Sequence, residues 1–282
     1  MFTNIRNTYQ KFSRNFWILV AASFIDSVGG ALIFPFLTLY MTRKFNVGMT
    51  EVGTMFLVWG LGSGLLGNTL GGAITDKFGR KKSIIFGLIA SATSALAMVF
   101  IKDIAMFYIV IGVIGIFEDI AGPARQAMIA DLVPENIRTD AYGVMRIVFN
   151  LAVTIGPAIG GLVAAKSFSL LFIIDFFISL AAAGFVLLFL PESKPQVAEH
   201  QQEESLKETF RGYRKVFKDK LFIAFVVVGI LETLMYFNMN STLSVFLVNY
   251  RGINTTQWGY ILSLNAVMVV VLQVFFSRLV SA

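Results

Sequence analysis

A chain of 282 residues would ordinarily fold as one or two soluble domains, yet 56% of these residues are hydrophobic and only 14% charged, with a mean hydropathy of +0.75. Soluble proteins carry roughly 25% charged residues, so the composition excludes an ordinary soluble fold. With no cysteine and His200 the only histidine, a disulfide scaffold, a thiolate metal site and a cysteine nucleophile are excluded, and a zinc site or serine–histidine triad is argued against.

Apolar runs long enough to cross a hydrocarbon core of roughly 30 Å predict eight membrane-spanning helices, at about 16–41, 51–75, 83–101, 104–129, 140–165, 168–190, 221–248 and 257–279. The chain is therefore expected to be an all-α polytopic membrane protein. With the N-terminus placed in the cytoplasm, seventeen of the 23 basic residues fall in cytoplasmic segments, Arg125 and Arg138 among them. Five fall outside (Arg43, Lys44, Lys102, Lys166 and Arg251) and Arg146 lies within a span. Cytoplasmic loops retain Lys and Arg, so this asymmetry accounts for the net charge of +6 without nucleic acid. It also sets the expected location: the inner (plasma) membrane, multi-pass, N-terminus cytoplasmic.

The first span follows three basic residues, but its apolar run is too long for a signal-peptide core of 7 to 15 residues, so it is read as a retained helix. About ten residues into it stands Asp26. A charge at that depth costs several kcal/mol unless it meets a partner or water, which makes it a functional candidate. In the second span, Gly62-x-Gly64-x-x-Gly67 formally matches a dinucleotide fingerprint. That fingerprint needs a strand before it; embedded in an apolar helix, these glycines are read as a close-packing face.

Between spans two and three stands Gly72-x-x-x-Asp76-Lys77-x-Gly79-Arg80-Lys81-Lys82. Gly72 is expected to let the helix end approach a neighbour, Asp76 to accept from a helix N-terminus or pair with a cation, and Gly79 to permit the turn. Arg80 offers a fork for a carboxylate, with Asp131 at the end of span four the expected partner. The segment closely resembles the signature loop of the major facilitator superfamily. The resemblance implies two six-helix bundles that rock about a midplane site, with this loop docking on a helix of the second bundle and releasing as the molecule swings.

In span four, Glu118 and Asp119 lie at about the depth of Arg146 in span five. One ion pair would account for one of the two acids and leave the other as a second candidate proton carrier, while Arg125 could share a face with Glu118. Span five reads Gly143-x8-Ala152-x3-Gly156-Pro157-x2-Gly160-Gly161, a proline bend with a GxxxG face for close helix contact. It resembles the family's fifth-helix antiporter motif, with Ala152 in place of a glycine. Asp175, near one end of span six, is read as interfacial.

Residues 191–220 form the one sizeable polar stretch, and Phe210, Tyr213 and Phe217, three and four residues apart, suggest an amphipathic helix within it. Sliding the chain on itself by 206 residues then places Asp26 on Glu232, Leu37 on Leu243, Thr50 on Thr256 and Gly53 on Gly259. Spans seven and eight thus repeat spans one and two. The expected organisation is a bundle over 1–190, a linker over 191–220 and the first two helices of a second bundle over 221–282, with four further helices supplied by a longer chain or by an unknown source.

The resemblance implies a proton-coupled antiporter for small lipophilic or drug-like molecules. Its expected partners are substrate, protons and lipid, its energy source is the proton gradient, and no cofactor, metal or catalytic residue is called for. Asp26, Glu118, Asp119, Arg146 and Glu232 are the proton or substrate candidates. A metabolite facilitator or symporter, and a fragment that does not transport, stand as alternatives.

Overall fold

The computed structural model describes residues 9–118, 120–194 and 219–280. Elements within 195–218, including the amphipathic segment expected there, lie outside the described residues, as does Asp119. Helix α1 spans Arg14–Phe45; Ser13 Oγ caps its start by accepting from the Phe16 amide, and Asn46, in left-handed conformation, ends it. The second span is α2 (Met49–Gly60), a π-helical segment (Leu61–Gly67) and α3 (Asn68–Phe78). There follow α4 (Arg80–Phe100), α5 (Ile104–Glu118), α6 (Ala121–Leu132), α7 (Arg138–Lys166) and α8 (Phe168–Phe189). The remainder is α9 (Lys220–Asn240), α10 (Thr242–Val245), a π-helical turn (Phe246–Tyr250) and α11 (Thr255–Val280).

By length and composition, seven helices among the described residues can cross a membrane. The second of the eight expected spans is helical throughout but is not one of the seven, because its glycines dilute its hydropathy. Two of those glycines, Gly62 and Gly71, serve packing, while Gly60, Gly64 and Gly72 have open space beside them. A Cβ on Gly62 would sit 2.5 Å from the Gly112 carbonyl oxygen, and one on Gly71 would lie 3.0 Å from Ile120 Cα, so the π-helical segment lies backbone to backbone against α5, and α3 against the start of α6.

Successive antiparallel helices give the bundle two ends, named here for Arg43 and Arg80. One apolar cluster (Phe16, Leu19, Ile84, Leu88, Met128, Val186) fills the Arg80 end, and another (Tyr40, Met41, Met55, Phe107, Phe172) the Arg43 end. A third joins α1, α7 and α8 to the last two spans through Leu32, Phe36, Leu39, Ala164, Val248 and Trp258. Trp258 is the largest of these side chains and is 1% exposed. Contacts of α9 with the first bundle gather toward the Arg43 end, where Phe237 packs edge-on against Phe34 and Phe56. The rest of α9 is largely uncovered, Leu221 being 83% and Met235 77% exposed. Such surfaces suit lipid, where helices satisfy every backbone polar group internally.

Candidate functional site

A cavity of about 560 Å³ opens inside the first bundle. Helix α1 supplies Asp26, Ser27 and Phe34, α2 supplies Phe56 and Trp59, and α4 supplies Ser91 and Ser94. Arg125 of α6, Phe149 of α7, and Phe172 and Asp175 of α8 complete its polar and aromatic lining. A second cavity of about 220 Å³ adjoins it, lined also by Ser63, Gly87 and Gly122. Asp26, Trp59, Ser91 and Arg125 face both, so these four side chains form the wall between them.

Within that wall Arg125 Nη2 donates to Asp26 Oδ2 at 2.5 Å, both side chains about four-fifths covered. Asp26 lies twelve residues into α1, roughly 18 Å along the axis at 1.5 Å per residue. The pair neutralises two charges that would each be costly alone at that depth. It also corrects one expectation: Arg125, counted by sequence among the cytoplasmic charges, lies in the cavity wall, paired with Asp26 across the bundle. The side chain of Glu118 lies outside the described residues.

Arg146 is exposed on α7 and makes no ion pair among the described residues, so it lines neither cavity. Glu232 is likewise exposed on α9 and lines neither. Asp175 is not interfacial: it is only 6% exposed, and its Oδ1 stands where a Cβ on Gly29 would be. Only glycine at position 29 leaves room for that carboxyl against α1.

At the Arg80 end the signature loop folds around one basic side chain. Arg80 Nε donates to Asp131 Oδ2 at 3.1 Å, Arg80 Nη1 stands 3.4 Å from Asp76 Oδ1, and Ser193 Oγ donates to the same Asp131 oxygen at 3.0 Å. Asp76 itself is 75% exposed and caps no helix. The carboxylate at the start of α4 is instead Glu192, whose oxygens accept from the Arg80 amide at 2.8 Å and the Lys81 amide at 3.2 Å. Burial alone would raise the Glu192 carboxyl, but the amides of Lys194, Arg80, Lys81 and Ser193 outweigh it and hold the group below its ordinary value.

Gly79 joins α3 to α4 at φ +101°, a conformation that L side chains rarely adopt, and a Cβ there would collide with Glu192. Gly72 has open space around it, so Gly71 is the glycine that brings α3 against its neighbour. Lys77 lies over the ring of its neighbour Phe78, and Lys81 Nζ donates to the Leu187 carbonyl at 2.8 Å.

The glycine face of α7 does approach other backbones. Gly156 abuts Ala31, Gly160 abuts Leu32 of α1, and Gly161 and the Pro157 carbonyl abut Gly259 of α11; Ala152 is fully buried. Gly143 has nothing near it. Helix α7 continues through Pro157 as one helix.

Sequence reasoning thus missed Arg125, Asp175 and Glu192 as members of sites. Arg125 and Asp175 each carried a legible signal, a charge inside an apolar span. Glu192 carried none, because its role depends on where the end of α8 meets the start of α4.

The described residues thus form an all-α bundle of membrane-crossing helices with a charged pair set in the wall of an internal cavity. The chain belongs to the Major Facilitator Superfamily, whose family model matches residues 19–282. It is 25% identical over 295 residues to a Na(+), Li(+), K(+)/H(+) antiporter of Planococcus maritimus, covering 94% of this chain and 68% of that protein. It is 27% identical over 272 residues to multidrug resistance protein 2 of Bacillus subtilis, covering 94% and 66%. Its fold is that of a bacterial homologue of the human lysosomal transporter Spinster, with TM-score 0.71 at 13% identity over 87% of this chain and 57% of that one. The chain spans about two thirds of the length of the curated relatives it matches. Members of this family work without a cofactor.

Proposed function

We propose that the chain takes part in proton-coupled export of small lipophilic molecules across the cell membrane, with its N-terminus and Arg80 end in the cytoplasm. The observation that carries this reading is the Asp26–Arg125 pair in the wall between two cavities. A proton arriving on Asp26 removes the charge that holds Arg125, and the freed guanidinium changes the field inside the cavity. Such a step links proton entry to substrate release. The aromatic walls suit lipophilic substrates, and the names of the multidrug and antiporter relatives agree with export against a proton.

Residues 1–190 act in this reading as one bundle and 221–282 as the start of a second, joined by the linker 191–220. In this reading the meeting of the last two spans with the first bundle near the Arg43 end closes that end to the outside. Asp76, Lys77, Gly79, Arg80, Lys81 and Asp131 would form the switch at the cytoplasmic end, and the α7 glycines the surface on which helices slide.

Everted membrane vesicles carrying the chain and a preformed proton gradient test this. Ethidium added to the wild type should release protons from the vesicles, and Asp26→Asn should abolish that release. Ethidium flux that leaves the gradient untouched in the wild type would overturn the reading.

A further inference from the structure

The two cavities stand in a fixed order along the bundle, and four spans agree on it. On α4, which starts at Arg80, the small cavity is lined by Gly87, Leu88 and Ser91, and the large one by Ser91, Ser94, Ala95 and Met98. At 1.5 Å per residue these stretches lie roughly 10–16 Å and 16–27 Å from Arg80. The second span lines the large cavity with Met55 and Phe56, both cavities with Trp59, and the small one alone with Ser63. Helix α5 runs toward the Arg80 end and gives Ile111 and Ile114 to the large cavity before giving Gly115 to the small one. On α1, which runs the other way, Asp26 borders the small cavity, and the large one continues from Asp26 to Leu37. The small cavity therefore lies on the Arg80 side of the Asp26–Arg125 pair and the large one on the Arg43 side.

The walls differ as the positions do. The large cavity is faced by Phe34, Phe56, Phe149 and Phe172, and its volume of about 560 Å³ lies within the roughly 300–1,000 Å³ of pockets for drug-sized ligands. The small one, at about 220 Å³, falls below that range. Its space exists because Gly87, Gly115, Ala121 and Gly122 project little or no side chain, and its polar groups are Asp26, Ser63, Ser91 and Arg125. A water molecule takes about 30 Å³ in the liquid, and a buried one makes two to four hydrogen bonds, so this cavity has the size and the polar groups for several. A carboxylate offers about four sites for hydrogen bonds, which lets Asp26 meet Arg125 and water together. The ionisable side chains on the described walls are Asp26 and Arg125, common to both cavities, and Asp175, on the large one.

The geometry points to the small cavity as a hydrated proton port: protons pass between Asp26 and the Arg80 end through water held there, and substrate occupies the large cavity alone. The inference rests on the export reading above. A proton leaving the Asp26 carboxyl passes to water in the small cavity, and the carboxylate left behind regains Arg125. Proton and substrate thus meet opposite sides of one ion pair and never share a compartment. Coupling between them runs through Arg125, which borders both cavities.

The chain has no native cysteine, so single cysteines report on each cavity. Ala121→Cys and Leu88→Cys place one in the small cavity, and Ser94→Cys places one in the large. In the purified chain in detergent, the water-borne reagent 2-(trimethylammonium)ethyl methanethiosulfonate should modify all three. Saturating ethidium should slow the reaction of Ser94→Cys and leave the other two unprotected. In everted vesicles, modified Ala121→Cys should lose the ethidium-driven proton release that the same variant shows before modification, and dithiothreitol should restore it. Ethidium affinity of the modified variant should stay within about twofold of the unmodified one. Small-cavity cysteines that do not react in folded protein, or that ethidium protects, overturn the inference. So does proton release that survives modification at both Ala121→Cys and Leu88→Cys. If the wild type shows no ethidium-driven proton release, the export reading has failed and the port falls with it; wild-type release with unreactive small-cavity cysteines is failure of the port alone.

Discussion

Arg43 Nη2 donates to Asn249 Oδ1 at 3.2 Å, across 206 positions of sequence. That separation is the offset of the internal repeat, so each residue is the other's counterpart. On the proposed reading of two repeated bundles, a residue that touches its own counterpart would lie beside an axis relating the two copies, as at an isologous interface. Asp26 and Glu232 share the same offset and do not meet; Asp26 is held by Arg125 and Glu232 is exposed. The first and seventh spans therefore converge at one end and part toward the other.

A cross-link at the converging end should trap the molecule. The chain has no native cysteine, so Arg43→Cys with Asn249→Cys gives a clean background. A short bis-maleimide is expected to join the two in high yield and stop ethidium flux, whereas either single variant treated alike should retain it. Mass spectrometry of the tryptic cross-link is the readout.

Glycines of α7 should divide sharply by position. A Cβ on Gly161 would stand 2.5 Å from the Thr255 carbonyl oxygen, and overpacking of this kind costs about 1–3 kcal/mol. Gly161→Leu is expected to lower the melting temperature in detergent and loosen α11. Gly143→Ala meets open space, and alanine is the better helix former by about 1 kcal/mol, so its melting temperature should hold or rise.

The loop at Gly79 predicts a dependence on pH. Glu192 is depressed in the folded state, so its contribution is complete above the ordinary glutamate value and lost as pH falls through the lower folded one. Glu192→Gln should therefore melt below the wild type at neutral pH, with the gap closing at the acid end of the carboxylate range. Gly79→Ala should cost about 1–2 kcal/mol from its positive φ alone and displace Glu192 as well. A pH-independent gap between wild type and Glu192→Gln would refute this account.

Much of the fold could be read because a long apolar run in lipid has few choices besides a helix. The Arg80–Asp131 contact was legible too, since a cation in a fixed loop and an acid at the neighbouring helix end have few other partners. Asp26–Arg125 was not, because 99 residues separate them and helix rotation alone decides which charges inside the bundle meet. Asp175 was misread for a related reason. Counting residues from the start of α8 gives its depth, but its burial comes from a glycine on α1, and a gap in one helix is invisible in the sequence of another.

The seam that ties the last two spans to the first bundle is built of Leu32, Phe36, Leu39, Ala164, Val248 and Trp258, with no charge among them. In lipid the hydrophobic effect does not press helices together, so such a joint is held by fit. It behaves as a dovetail rather than a glue line, firm in register and weak once shifted by a turn. Trp258→Ala, which removes the largest of these buried side chains, should lower the melting temperature by loosening that joint.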